Sequence, residues 1–303
     1  MKNMYKSQIF AGIEAGGTKF VCAVGNSSGE ILERENFPTT TPKETMNRVF
    51  EFLTMMDEKY KLSAIGIACF GPIDPDPRSP HFGYITTTPK AGWTHFNIVG
   101  SVRERFNLPI GFDTDVNGAA LGEARWGNGI GVDTLVYWTV GTGIGAGGIV
   151  SGRMMHGLIH PEMGHTFVNH DRAKDPFPGV CPFHKDCLEG LASGPAMCAR
   201  WKVKSATDLP SNHPGWDLEA EYLSYAMANC IEMLSPQKII IGGGVMHHKE
   251  LYGKIRKHTQ LLLNGYIQHR QILEEIENYI VAPGLGNNAG VCGAMALAEA
   301  AIR

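Results

Sequence analysis

Apolar residues near the start of the chain come in alternating or short continuous runs, the pattern of half-buried and buried β-strands. They predict strands over 9–14, 20–25 and 31–37, with Asn26-Ser27-Ser28-Gly29 as the turn between the last two. The spacing then lengthens to the helical one: Met46, Val49, Phe50 and Leu53 lie three and four apart. Ahead of them, Thr41-Pro42-Lys43-Glu44 reads as a capping box with proline at the first helical position. A buried strand (64–70), a Pro/Asp-rich loop (71–80), a short strand near 83–87, a helix (98–106) and a strand (109–112) follow. After a helix over 116–125 the succession begins again. Strands are expected over 135–140, 144–150 and 166–169, helices over 195–201 and 218–234, a strand over 238–241, a helix over 249–265, a strand over 279–282 and a closing helix over 289–302. Two similar α/β units, each opening on a glycine-turned hairpin, predict a duplicated fold with a cleft between two lobes and parallel strands in both.

The chain has 303 residues, enough for a sizeable core and two domains. A formal charge of −3 with scattered Lys and Arg argues against a nucleic-acid partner, which would need clustered basic surface. No apolar run is long enough to span a bilayer, and the first residues lack a secretory pattern. Seven cysteines are an odd number, and Cys22, Cys69, Cys198, Cys230 and Cys292 sit in apolar surroundings. Free buried thiols in a reduced cytoplasm are expected, with no membrane partner.

Chemistry concentrates in 161–189. Pro161-Glu162-Met163-Gly164-His165 is followed by Cys181-x-x-His184-x-x-Cys187 and then Glu189. His165, Cys181, His184 and Cys187 are the donor types of a closed tetrahedral zinc site, which leaves no position for a reacting water and is therefore structural. Two buried thiols and a surface histidine would give the same letters.

Three glycine clusters lie elsewhere. Gly12-Ile13-Glu14-Ala15-Gly16-Gly17-Thr18-Lys19 has Walker-like spacing, but Thr precedes Lys and a strand follows. The turn is thus a β-hairpin whose amides, with Thr18 and Lys19, could face a phosphate, or a plain turn. Gly141-Thr142-Gly143-Ile144-Gly145 occupies the matching place in the second unit; it too continues as a strand, so a dinucleotide fingerprint is rejected. Gly242-Gly243-Gly244-Val245-Met246 ends a buried strand, where close backbone could lie against a base or ribose or merely make a turn. A metal clamp beside carboxylates, with paired phosphate-type hairpins, points to a kinase acting on a polar small molecule.

Glu14 to Lys19, Phe70-Gly71-Pro72, Thr114-Asp115-Val116-Asn117, Gly141-Thr142-Gly143, the stretch from Glu162 to His165, the Cys/His cluster and Gly242-Gly243-Gly244 together resemble a sugar kinase of the ROK family, with likeness to its zinc-containing fructokinase branch. Glu14 stands where that family's first motif opens with Asp, and Thr114 where its catalytic motif carries Asn. The resemblance implies the actin-like, hexokinase-like ATPase fold: a small lobe of residues 1–116 with the closing helix (289–303), and a larger lobe of 117–288 carrying the zinc loop 160–190. It also implies a homodimer, ATP and a hexose as partners, and Mg²⁺ with the ATP.

In that frame Asp115, between a strand and a helix, is expected to be the general base, although an aspartate there also suits a helix N-cap. Glu162, His165 and Glu189 are expected to hold sugar hydroxyls, with Asn117 as a further substrate contact and Gly71 and Pro72 lining the pocket. Lys90 and Trp93 could assist, or the tryptophan could pack on its lobe. Gly16, Gly17, Thr18, Lys19, Thr142 and Gly143 are assigned to the phosphates. Pro195, in the Ser193-Gly194-Pro195 helix start, is assigned with Gly243, Gly244, Val245 and Met246 to the rest of the nucleotide. The expected reaction is phosphorylation of the 6-hydroxyl of fructose. An N-acylmannosamine kinase, a glucokinase and a non-catalytic sugar sensor or repressor are the alternatives; only eleven residues precede Gly12, too few for a DNA-binding domain.

Overall fold

The structure is a computed structural model and describes residues 8–303; the expectation about a leader falls on residues 1–7, outside them. Its strands are β1 (Ile9–Ala15), β2 (Lys19–Asn26), β3 (Ile31–Pro38), β4 (Ala64–Cys69), β5 (Ile110–Thr114), β6 (Leu135–Val140), β7 (Ile144–Val150), β8 (Arg153–Met154), β9 (Lys238–Gly242) and β10 (Ile280–Val281). Its helices are α1 (Pro42–Tyr60), α2 (Ile98–Arg103), α3 (Asp115–Trp126), α4 (Leu188–Ala192), α5 (Gly194–Trp201), α6 (Gly215–Leu234), α7 (Glu250–Leu263), α8 (Arg270–Leu273), α9 (Ile276–Tyr279) and α10 (Ala289–Ala300). None of the described helices is long and apolar enough to cross a membrane.

Two five-stranded sheets run in the orders β3-β2-β1-β4-β5 and β10-β9-β6-β7-β8. Read from its other edge, the second sheet repeats the first, with two antiparallel pairings followed by two parallel ones. This is the duplication the sequence predicts, and each sheet is mixed because its opening hairpin is antiparallel. In the first sheet Glu14 lies level with Ala68, and Cys69 with Thr114. The carboxyl ends of β1, β4 and β5 therefore deliver Glu14, the 70–73 loop and Asp115 to one edge, where open α/β sheets place ligands. In the second, Thr139 opposite Gly242 brings the 141–143 and 243–245 turns level.

α10 belongs with the first sheet although it comes last in the chain. A Cβ on Gly66 of β4 would stand 1.8 Å from the Ala294 carbonyl oxygen, and one on Gly293 would stand 2.1 Å from that of Gly118 on α3. Side-chain-free contacts let α10 lie flat on both. Ile13, Ile65 and Ile67 fill the opposite side against Leu53 and Val49 of α1. Ile239, Ile241 and Trp138 pack on α6 and α7 in the second unit.

Several expectations shift. Residues 83–87 form no strand: Ile85 and Tyr84 make isolated bridges to Ile73 and Asn97, and Gly83 turns the chain at φ 87°. Residues 166–169 pair only through Phe167 with Cys187, because the chain turns away to carry the Cys/His cluster. Thr41 caps α1 by accepting from the Glu44 amide. Trp93 is wholly buried between Phe20, Phe70 and Phe96, its indole donating to the Thr40 carbonyl at 2.8 Å, so it packs on the sheet and takes no place in an exposed loop. Cys22, Cys69, Cys230 and Cys292 are buried free thiols, while Cys198 is partly exposed on α5.

Candidate active site

Thr114 caps α3, its hydroxyl accepting from the Asn117 amide at 3.1 Å, and so fixes Asp115 in the first turn. Asp115 accepts from the Val116 amide at 2.9 Å and stays partly open to solvent among buried neighbours. Burial pushes its carboxyl up to about 6. Glu14 is pushed up to about 7 by burial and then by the charge of Asp115, and its Oε2 has no hydrogen-bond partner. Glu162 is also raised to about 7, by desolvation and then by Asp115 and Glu189. Carboxylates that feel one another at one spot favour a ligand rich in hydroxyl donors, a cation, or both.

Asn117 is fully buried. Its amide donates to Asp113 at 2.9 Å and toward the Met155 carbonyl at 3.3 Å, while its oxygen accepts from the Gly148 amide at 2.9 Å. That side chain ties the start of α3 to β7. Asp113, itself buried, also lies 2.9 Å from His156 Nε2 and holds that imidazole above its usual range. Asp113, His156 and His160 escaped the sequence reading. The only available sign was two histidines four apart ahead of Pro161-Glu162.

The Cys/His cluster forms as spaced. His165 Nδ1 lies 3.8 Å from Cys181 Sγ and 3.6 Å from Cys187 Sγ, and His184 Nδ1 lies 3.7 Å from Cys181 Sγ. All four donor atoms fall within 4.8 Å of one another. A tetrahedral ion with sulfur at ~2.3 Å and nitrogen at ~2.0 Å needs such separations, so the residues fit a metal. Burial pushes the Cys187 thiol up to about 11, a cost that a bound cation would offset. From this cluster the chain enters α4, where Glu189 Oε2 accepts from the Ile144 amide at 2.9 Å. Glu189 Oε1 lies 3.9 Å from His165 Nε2. The cluster thereby holds a carboxylate against the start of β7, and a Cβ on Gly143 would stand 2.7 Å from Glu189 Oε2.

The glycine turns also converge. Gly16 donates to the Lys19 carbonyl at 3.1 Å, leaving Gly17, Thr18 and Lys19 exposed, and Thr39 braces the turn from behind through the Gly16 and Thr18 carbonyls. Gly194 donates to the Gly141 carbonyl at 2.8 Å, and a Cβ on Gly141 would lie 3.7 Å from the Gly244 amide. The 141–143 turn, the start of α5 with exposed Pro195, and the 243–245 turn thus meet. Beside them opens a cavity of about 280 Å³, lined by Gly244, Val245, His248 and Trp216 among others. Met246 packs into the core. Gly243 holds φ 96°, and a Cβ there would stand 2.4 Å from the Val140 carbonyl oxygen. Gly243→Ala is expected to cost ~1–3 kcal/mol of stability and to raise the KM for nucleotide above that for sugar, measurable by thermal melts and steady-state kinetics.

The sequence model of the ROK family matches residues 10–301. The chain belongs to the ROK family. Among its ROK relatives, a fructokinase of Pediococcus pentosaceus is 43% identical, covering 97% of this chain and 99% of that protein. A fructokinase of Zymomonas mobilis is 43% identical, covering 99% of both. A ROK glucokinase from Streptomyces griseus, solved with glucose and AMPPNP, superposes with a TM-score of 0.76 at 25% identity, over 96% of this chain and 99% of that one. The ROK fold is the actin-like ATPase fold, in which the paired hairpins at 16–19 and 141–143 occupy equivalent places in the two sheets.

Proposed function

We propose that this ROK protein is an ATP-dependent fructokinase that phosphorylates the 6-hydroxyl of fructose, with Asp115 as general base. The observation carrying this is the raised Asp115 carboxyl at the start of α3, on the edge of the first sheet that also bears the 16–19 hairpin, with the matching 141–143 hairpin in the second sheet; the 43%-identical fructokinases support the sugar.

The 6-hydroxyl proton passes to Asp115 as its oxygen bonds to the γ-phosphorus and the bond to the ADP oxygen breaks. A carboxyl titrating near 6 is ionised at neutral pH and still basic enough to assist. Most of the catalysis comes from positioning and charge. Gly17, Thr18, Lys19, Thr142 and Gly143 supply amides, hydroxyls and one ammonium to the phosphates, while Gly16, its amide engaged by the Lys19 carbonyl, shapes the turn. The 194–195 and 243–245 turns and the cavity beside them receive the nucleoside. Glu162, Glu189 through its free Oε1 and His165 Nε2 hold sugar hydroxyls, and Gly71 and Pro72 close the far wall. Asn117 acts by fixing α3 to β7, since its amide is already engaged. The Thr114 hydroxyl is spent on capping. Mg²⁺ brought with ATP would neutralise phosphate charge, and Glu14, with an unpartnered oxygen and a carboxyl that feels the charge of Asp115, would suit its hydration shell. His165, Cys181, His184 and Cys187 would hold a zinc ion, which would keep the sugar-binding loop in place.

ADP release measured with fructose, mannose, glucose and N-acetylmannosamine tests the reading. Fructose is expected to be preferred; turnover on none of them overturns it. Because Asp115 must be ionised to accept a proton, kcat/KM should fall about tenfold per unit as pH drops below about 6, and a profile flat through that range removes Asp115 as base.

A further inference from the structure

We propose that His160 is a positioning residue that clasps the two walls of the sugar pocket together and so sets hexose affinity, an inference that rests on the sugar-kinase reading above. His160 lies in the loop between β8 and the Met163–His165 turn and is only 5% exposed. Its ring stands between two segments far apart in sequence. On one side Nε2 accepts from the Ile73 amide at 3.1 Å. The same edge of the ring closes on Gly71, where a Cβ would stand 3.2 Å from His160 Cε1. Ile73 is itself buried, so this contact fixes the loop bearing Gly71 and Pro72 at a rigid point. On the other side Nδ1 lies 3.5 Å from Glu162 Oε1 and 3.5 Å from the Pro161 carbonyl oxygen.

A ring nitrogen that accepts from an amide carries no proton, so the neutral imidazole must carry its proton on Nδ1. Burial holds this ring below the usual imidazole range, which keeps it neutral. The tautomer is thereby set by the Ile73 amide, and Nδ1–H faces the Pro161 carbonyl, with Glu162 Oε1 at the same 3.5 Å. One side chain thus couples the Gly71-Pro72 wall, which comes from the first sheet, to the opposite loop that carries Glu162. No reacting atom need touch it. It acts through the groups it holds, and a loss of the clasp frees both walls while leaving the nucleotide turns alone.

His160→Ala, His160→Gln and His160→Asn separate the two arms. Gln can place its Oε1 where Nε2 stood and accept from Ile73; Asn places its amide near the Nδ1 position and cannot reach Ile73. The alanine variant is expected to raise the fructose KM about tenfold or more, since a buried amide loses its acceptor and the loop its anchor. The ATP KM should stay within about twofold. Gln should recover most of the fructose affinity and Asn little, and this comparison stands even where alanine fails to fold. A fructose KM that stays put, or fructose and ATP KM values that rise together with a fall in Tm, would overturn the clasp. If the wild type prefers another hexose, the fructose assignment falls and the same variant ratios on that hexose decide the clasp.

Discussion

Replacing Asp115 by Asn should lower kcat by ~10²–10⁴-fold while fructose binding, followed by calorimetry, stays near the wild-type value. The substitution is nearly isosteric, and an Asn side-chain oxygen can still accept from the Val116 amide as Asp115 does at 2.9 Å. The lost property is basicity alone. Asn also removes a charge that raises Glu14 and Glu162, so both should ionise more readily in the variant. Weakened fructose binding with kcat intact would instead make Asp115 a sugar contact or a simple helix cap.

The second large effect concerns the metal. Purified protein should carry about one zinc per chain, and Cys187→Ser or exhaustive chelation should remove it. Without it, Glu189 loses the anchor that holds it on the Ile144 amide, and Glu162 sits on a freed loop. Misplacement of such groups by an ångström can cost about 10²-fold in rate, so activity should collapse and the Tm should fall, both restored by added Zn²⁺. Acid should release the metal too, because thiols and imidazoles exchange it for protons as pH falls. The burial that pushes Cys187 up to about 11 strengthens that proton linkage. Full activity in zinc-free protein would reduce the cluster to four unconnected side chains.

Periodicity located the long elements. α1, α6, α7 and α10 carry three or more turns of apolar spacing, and the buried strands stand out as short runs between turn residues. The misses are short or bridged segments. β8 has two residues and α8 and α9 four each, too few for either period to show. At 83–87 the chain is extended but pairs at single positions, which no local pattern distinguishes from a strand.

Site residues were legible where a short motif holds them together, as in Cys181-x-x-His184-x-x-Cys187. They were not where the partner is remote. His156 meets Asp113 across 43 residues and His160 meets Ile73 across 87, and each histidine alone looks like any other. Asn117 shows the opposite error. Its motif drew attention to the sugar, yet its amide is consumed inside the protein by Asp113 and Gly148.

The place of α10 has a consequence for how the chain is made. The strands of the first sheet are all made before β6, but the helix that lies across Gly66 and Gly118 follows β10. Until then the apolar face around Phe10, Ala64 and Ala68 has no cover. The first sheet therefore waits, open and prone to stick, until α10 has been made. Ribosome-bound chains stopped before residue 289 should be captured by chaperones and cut readily by protease, while full-length chains are not.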